Sequence, residues 1–157
     1  MSRARGFTLI ELMITVAIIG VLASMAVPLK EIVVKRAQER ELRTALREIR
    51  AGLDAYKKAV DEGKVKGSVG DSGYPKTLDE LASGVENSAS AERQKIYFLR
   101  RLPRDPLHPD EATPAAQTWG KRSYASSSDT PQEGVDVFDV YSLAKGRGMN
   151  GVVYRDW

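Results

Sequence analysis

Cysteine is absent from this chain, and histidine occurs once, at His108. The first absence excludes disulfides, thiol catalysis and a Cys-ligated zinc site. The second excludes a His-rich metal centre. Excess charge is scarce too: the formal net charge is +3 over 157 residues, too little by itself to point to nucleic acid. No Gly-x-Ser-x-Gly, phosphate-loop or zinc spacing is present. What remains is 42% hydrophobic and 29% charged residues, the composition of a folded protein. The length suits one modest domain with an appendage.

Hydrophobicity gathers at one end. Phe7 to Leu29 reads FTLIELMITVAIIGVLASMAVPL, and its single charge is Glu11. As a helix this stretch covers roughly 34 Å at ~1.5 Å per residue, enough to cross a hydrocarbon core of about 30 Å. A buried core helix is usually shorter and shows a polar face. An ordinary secretory signal would end its apolar region, of about 7–15 residues, at a small-residue cleavage site. Leu22-Ala23-Ser24 and Ser24-Met25-Ala26 have that form, but the run is long for such a signal, and Glu11 adds nothing to one. An acid inside a membrane segment costs about 2.5–3.5 kcal/mol at the centre and less near an end, and it usually pairs with a cation. No Lys or Arg lies between Phe7 and Leu29. The partner must come from another chain, or from the amine freed by cutting between Gly6 and Phe7.

Gly6-Phe7-Thr8-Leu9-Ile10-Glu11-Leu12, behind a short basic leader with Arg3 and Arg5, resembles the processing site of type IV pilins and type II secretion pseudopilins. The resemblance implies that a prepilin peptidase cuts after Gly6 and methylates the new amine of Phe7. It also implies that Glu11 pairs with the terminal amine of a neighbouring subunit during assembly. Pro28 lacks an N–H and favours a kink, and Gly20 weakens the helix by about 1 kcal/mol relative to Ala. In assembled filaments of this superfamily the helix often melts between such residues, so Gly20 to Pro28 is the stretch expected to extend. Lys30, Lys35, Arg36, Arg40 and Arg43 follow the apolar run, and loop-charge counting alone would keep that side cytoplasmic. The resemblance places it in the periplasm.

Beyond Leu29 the helical pattern continues to about Glu62. Leu42, Leu46, Ile49, Leu53, Tyr56 and Val60 form one apolar stripe. Glu31–Lys35, Glu39–Arg43 and Asp54–Lys58 have the favourable acid-first spacing of helix-surface ion pairs. The basic residues from Lys35 to Arg50 are interleaved with acids and read as a solvated face or as inter-subunit contacts.

The glycine-rich stretch from Gly63 to Gly73 ends the helix. Thr77, with Glu80 three residues on, predicts the cap of a short helix through Leu81. A further helical stretch precedes Tyr97, and Pro103 and Pro106 confine the next piece to an edge or loop. Val135–Leu143 reads as the best strand, Arg122–Ser126 as its hairpin partner and Gly151–Trp157 as a last short strand. The predicted class is α+β, type IV pilin-like: a long N-terminal helix packed against a small antiparallel sheet. The predicted divisions are a leader (1–6), a transmembrane and assembly helix (7–29), an amphipathic helix (30–63) and a periplasmic globular layer (64–157).

GYPKTLDEL, LPRDP and FDVYSLAKG, taken in order, look like the corresponding stretches of the major pseudopilin of type II secretion systems. That resemblance implies a structural subunit of a periplasmic filament, single-pass in the bacterial inner membrane, that helps to export folded proteins. Its implied partners are further copies of itself, minor pseudopilins, prepilin peptidase, the inner-membrane assembly platform and the membrane, with no nucleic acid. It implies no catalysis: the chain is a substrate of the peptidase, and His108 has no nucleophile pattern beside it. In the subgroup an acidic loop after the Tyr-Ser-Leu segment binds calcium. Here that loop is Ala144–Gly151, with Lys145 and Arg147 where carboxylates would help, so no cofactor or metal is expected, although Asp129, Asp136, Asp139 and Asp156 are near in sequence. Without calcium or disulfides, Trp119, Tyr124, Phe138, Tyr141 and Trp157 are expected to hold the sheet. The alternative within the same fold is a type IV pilin of a surface fibre for adhesion, motility or DNA uptake. Lys121, Arg122, Lys145 and Arg147 are then the candidate DNA-binding patch. The lack of cysteine favours the pseudopilin, because many pilins carry a C-terminal disulfide.

Overall fold

A single α-helix, α1, spans Leu9–Asp61. This computed structural model describes residues 6–67, 70–90, 92 and 94–157, and for residues 25–29 only the helical backbone. The leader residues Arg3 and Arg5 and the side chain of Pro28 therefore lie outside the described residues. The chain divides into two units, Met1–Ala37 and Gln38–Trp157.

In the first unit the described side chains of α1 are exposed all round, from Leu9 and Ile10 to Val21 and Leu22. Among the described residues no helix is long and apolar enough to cross a membrane. The described side chains of the apolar run stop at Ser24.

In the second unit the predicted stripe is the centre of the core. Leu42, Leu46, Ile49, Leu53 and Tyr56 are buried, and Val60 packs at the margin. They meet Leu78, Leu81, Leu99, Trp119, Val137, Val140 and Tyr154 from the layer above. Burial of each large apolar side chain contributes about 1.5–3 kcal/mol, far more than any surface pair on the same helix. At the helix surface Lys58 does not take its predicted partner Asp54. Lys58 turns to Glu62 (3.9 Å), and Lys57 pairs with Asp61.

The layer is less regular than its sequence suggests. Glu80 Oε1 accepts from the Thr77 N–H (3.2 Å) and hydroxyl (3.3 Å), but the helix itself, α2, is only Glu80–Ser83. Gly84, at φ 78°, turns the chain out of it. The stretch before Tyr97 is not helical. It holds β1 (Val85–Glu86) and β2 (Lys95–Ile96), an antiparallel pair. The predicted single sheet is two separate ribbons, the second made of β3 (Trp119–Arg122) and β4 (Asp139–Ser142).

Strand β4 is the later part of the predicted Val135–Leu143 strand, and it pairs upstream of the predicted partner. Trp119 faces Ser142, and Arg122 faces Asp139. Residues after Arg122 leave the ladder because Ser123 donates its N–H to Gln132 and receives the turn bond of Ser126. The last segment is not a strand but a 3₁₀ turn, Tyr154–Asp156, joined to the loop before it by one bridge, Arg147 to Val153. The tight turn sends Tyr154 into the core and lays the Trp157 ring over Gly148, where no Cβ would fit. Of the five aromatics expected to hold the sheet, Trp119 is buried and donates to the Pro103 carbonyl (2.9 Å). Tyr124 is 60% exposed; its ring stacks on Tyr74 and meets Phe138 edge-on.

Candidate functional site

The helix begins on a reciprocal cap. Thr8 stands just before α1, and Glu11 is the third helical residue. The Glu11 N–H donates to Thr8 Oγ1 (3.3 Å), while Glu11 Oε2 accepts from the Thr8 N–H and hydroxyl, both at 3.2 Å. This capping box satisfies two backbone donors that a helix start leaves orphaned, and it sets a negative charge against the positive end of the helix dipole. The sequence pattern Thr-x-x-Glu carries that signal, although reading Glu11 only as an assembly contact passes over it. Gly6 and Phe7 precede the cap in non-helical backbone, and Phe7 is 76% exposed. A protease would find the Gly6–Phe7 bond on an accessible, irregular segment, followed at once by a rigid helix.

Gly20 lies within unbroken α1, and nothing stands within 4 Å of where its Cβ would be. Its lack of a side chain therefore serves no packing in the isolated chain. The stretch from Gly20 to Pro28, expected to extend, is helical in this chain.

The second unit uses charged residues of α1 to fasten the end of the chain. Glu39, 5% exposed, accepts from the Met149 N–H (2.9 Å) and the Tyr154 hydroxyl (3.0 Å) through the same Oε1. Burial, and then the hydrogen bond to Glu39, pushes the Tyr154 hydroxyl above its usual range. Arg43 lies over the Trp157 ring at 4.3 Å. Arg50 reaches Asp139 (2.8 Å), the Val140 carbonyl (3.2 Å) and the Trp157 carbonyl (2.8 Å). None of these partners follows from helix periodicity.

The LPRDP segment is held in a comparable way. Asp105 is buried, takes the Ser142 hydroxyl and the Leu107 N–H (2.8 Å), and donates its own N–H to Thr118 (3.1 Å). Arg104 donates to the carbonyls of Asp110 (2.6 Å) and Thr113, closing the loop over residues 104–113. His108 lies in that loop and accepts from the Asp110 N–H (3.3 Å).

Two carboxylates near the Ala144–Gly151 loop in sequence have other partners. Asp139 lies between Arg50 and Arg122 (3.4 Å). Asp136 takes the Ser123 hydroxyl (2.6 Å) and the Tyr124 N–H (3.0 Å). Burial pushes the Asp136 carboxyl up, but the bonds from Ser123, Ser72 and Tyr124 outweigh it and hold the group below the usual range. Among the described residues no three His, Cys, Asp or Glu side chains gather into a possible metal site. The loop itself carries two cations, Lys145 and Arg147, both exposed. Arg147 Nη1 donates to the Gly151 carbonyl (3.0 Å), the kind of oxygen a calcium ion needs. This donor set does not fit a hard divalent cation. Within the candidate DNA-binding patch, Lys121 pairs with Glu133 (3.8 Å) and Arg122 with Asp139.

Comparison with known proteins completes the description. A family model for the prokaryotic N-terminal methylation motif matches residues 1–27. The chain is 32% identical to the type II secretion system core protein G of Klebsiella pneumoniae, over 89% of this chain and 86% of that one. It is 30% identical to the protein of the same name from Vibrio cholerae serotype O1, over 89% and 82% of the two chains. It is also 30% identical to the type IV major fimbrial protein FimA of Dichelobacter nodosus, over 80% and 77%. No solved structure matches it significantly.

Proposed function

This chain belongs to the type II secretion system core protein G family, the major pseudopilins, and we propose that it is the structural subunit of a secretion pseudopilus. The observation that carries the reading is the start of α1. An exposed Gly6–Phe7 junction leads into a capped helix whose exposed apolar surface holds one acid, Glu11. Prepilin peptidase cuts after Gly6 and methylates the Phe7 amine. Residues 7–29 anchor the precursor in the inner membrane, and the rest of the chain stands in the periplasm. During assembly Glu11 exchanges its Thr8 partner for the amine of a neighbouring Phe7, which neutralises two charges that lipid would otherwise penalise. Gly20 to Pro28 extends as the filament forms. The subunit catalyses nothing; its work is polymerisation on the inner-membrane platform, with minor pseudopilins at the filament.

The test is a deletion strain. Folded exoproteins should disappear from the culture supernatant and return when the intact gene is restored. Mass spectrometry of the mature subunit should find the chain beginning at a methylated Phe7. An unchanged supernatant would remove the secretion reading. The likeness to a fimbrial subunit supports the alternative, a surface fibre, for which loss of attachment or surface motility would be the matching phenotype.

A further inference from the structure

We infer that the Ala144–Gly151 loop is closed by the guanidinium of Arg147 and anchored by Glu39, so that the C-terminal end of this subunit folds without a divalent cation. A loop of this kind needs two things: a positive centre to gather its carbonyl oxygens and a tie to the rest of the domain. Calcium supplies the first through about six to eight oxygen ligands.

Here Arg147 provides the positive centre from within the loop. It binds the Gly151 carbonyl (3.0 Å), four residues on, and its backbone bridges to Val153. The neighbouring carbonyls are also occupied. Gly146 accepts from the Tyr154 N–H (3.3 Å), Gly148 from Gly151 (2.9 Å), and Val152 from Gly148 (2.8 Å) and from the Trp157 indole (3.3 Å). Asn150 Oδ1 takes the Val152 N–H (3.1 Å). The tie is Glu39, whose buried carboxylate spends its charge on the Met149 N–H and the Tyr154 hydroxyl. A second cation, Lys145, stands exposed in the same loop, and a divalent ion would be repelled by both. The inference concerns this loop alone and is independent of which filament the chain builds.

The test melts the full-length protein in detergent micelles, once in chelator and once in about 5 mM calcium, in excess of the roughly millimolar affinity of weak extracellular sites. The two midpoints should agree within about 1 °C, because a ligand bound only to the folded state must raise the midpoint. Arg147→Ala should lower the midpoint by about 2–4 °C in both solutions. It should also speed tryptic cleavage after Lys145 several-fold in both. Arg147→Gln, which keeps a donor for Gly151, should fall between. A wild-type midpoint raised by more than about 3 °C in calcium would overturn the inference. So would an Arg147→Ala protein as stable and as protease-resistant as the wild type. If Arg147→Ala does not fold, the glutamine variant and the wild-type comparison decide.

Discussion

Replacing Arg50 with alanine isolates the tie between α1 and the end of the chain. Arg50 makes three charge-assisted bonds: to Asp139 at 2.8 Å, to the Val140 carbonyl at 3.2 Å and to the Trp157 carbonyl at 2.8 Å. At about 1.5–3 kcal/mol each, a simple sum would exceed 4 kcal/mol. The structure argues for less. The Arg50 side chain is 39% exposed, so water screens the pair. Asp139 keeps Arg122 as a second partner. An expected loss of about 2 kcal/mol follows, or about 4–8 °C in the melting midpoint of a chain this size. Thermal melting of the full-length protein in detergent, followed by circular dichroism, measures it. Arg50→Lys should recover only part, because a lysine keeps the charge but loses the fork. A double-mutant cycle with Asp139→Asn should find about 1 kcal/mol of coupling. An Arg50→Ala midpoint within about 1 °C of wild type would refute the reasoning and leave the C-terminus held by packing alone.

The other predictions concern the core, one backbone contact and acid stability. Ile49→Ala removes a fully buried side chain at the centre of the stripe and should cost about 2–5 kcal/mol in equilibrium unfolding; a loss under about 1 kcal/mol would mean the stripe is not the core. Gly120→Ala places a methyl group into the Tyr141 ring across the β3–β4 ribbon, so it should cost about 1–3 kcal/mol, and Tyr141→Ala should relieve most of that strain. The depressed Asp136 carboxyl contributes stability that is complete above its unfolded pKa of about 3.9 and is lost as pH falls through its lower folded value. The stability gap between wild type and Asp136→Asn should therefore be constant from neutral pH down to about 4 and shrink below it; a gap that persists in stronger acid would show that shape, not charge, is what matters there.

What could be read from the sequence divides by the range of the interaction. The stripe from Leu42 to Val60 was legible because helix geometry repeats every few residues, and one face had to be buried. Strand β4 was legible in its β-branched and aromatic run, but its partner was not. A four-residue ribbon leaves no periodic signal, and the register of Trp119–Arg122 is set by Trp119 reaching the core rather than by a hairpin turn. The last segment looked like a strand because Val, Val, Tyr and Trp favour one. Packing of Tyr154 and Trp157 wound it into a 3₁₀ turn instead.

Glu39 shows why the fastening residues were harder to see. Four residues before Arg43, it satisfies the rule for a helix-surface ion pair, worth a few tenths of a kcal/mol. In the fold its carboxylate instead accepts two bonds from residues more than a hundred positions away, and it is buried in doing so. A weak local rule yields to a strong distant contact, and nothing in the local spacing announces it. Glu11 obeys the opposite logic. Its partner in the isolated chain is three residues away, and the same Thr-x-x-Glu pattern makes a contact at Thr77–Glu80, although there the helix starts later, with Asp79 and not Thr77 at the cap position. A local cap is weak enough to surrender: its contribution is on the order of 1 kcal/mol, less than a charge-assisted bond to a free amine in lipid would return. For the assembly role proposed for Glu11, an acid to be held before assembly and released during it is therefore better placed in a capping box than in a buried tie such as that of Glu39.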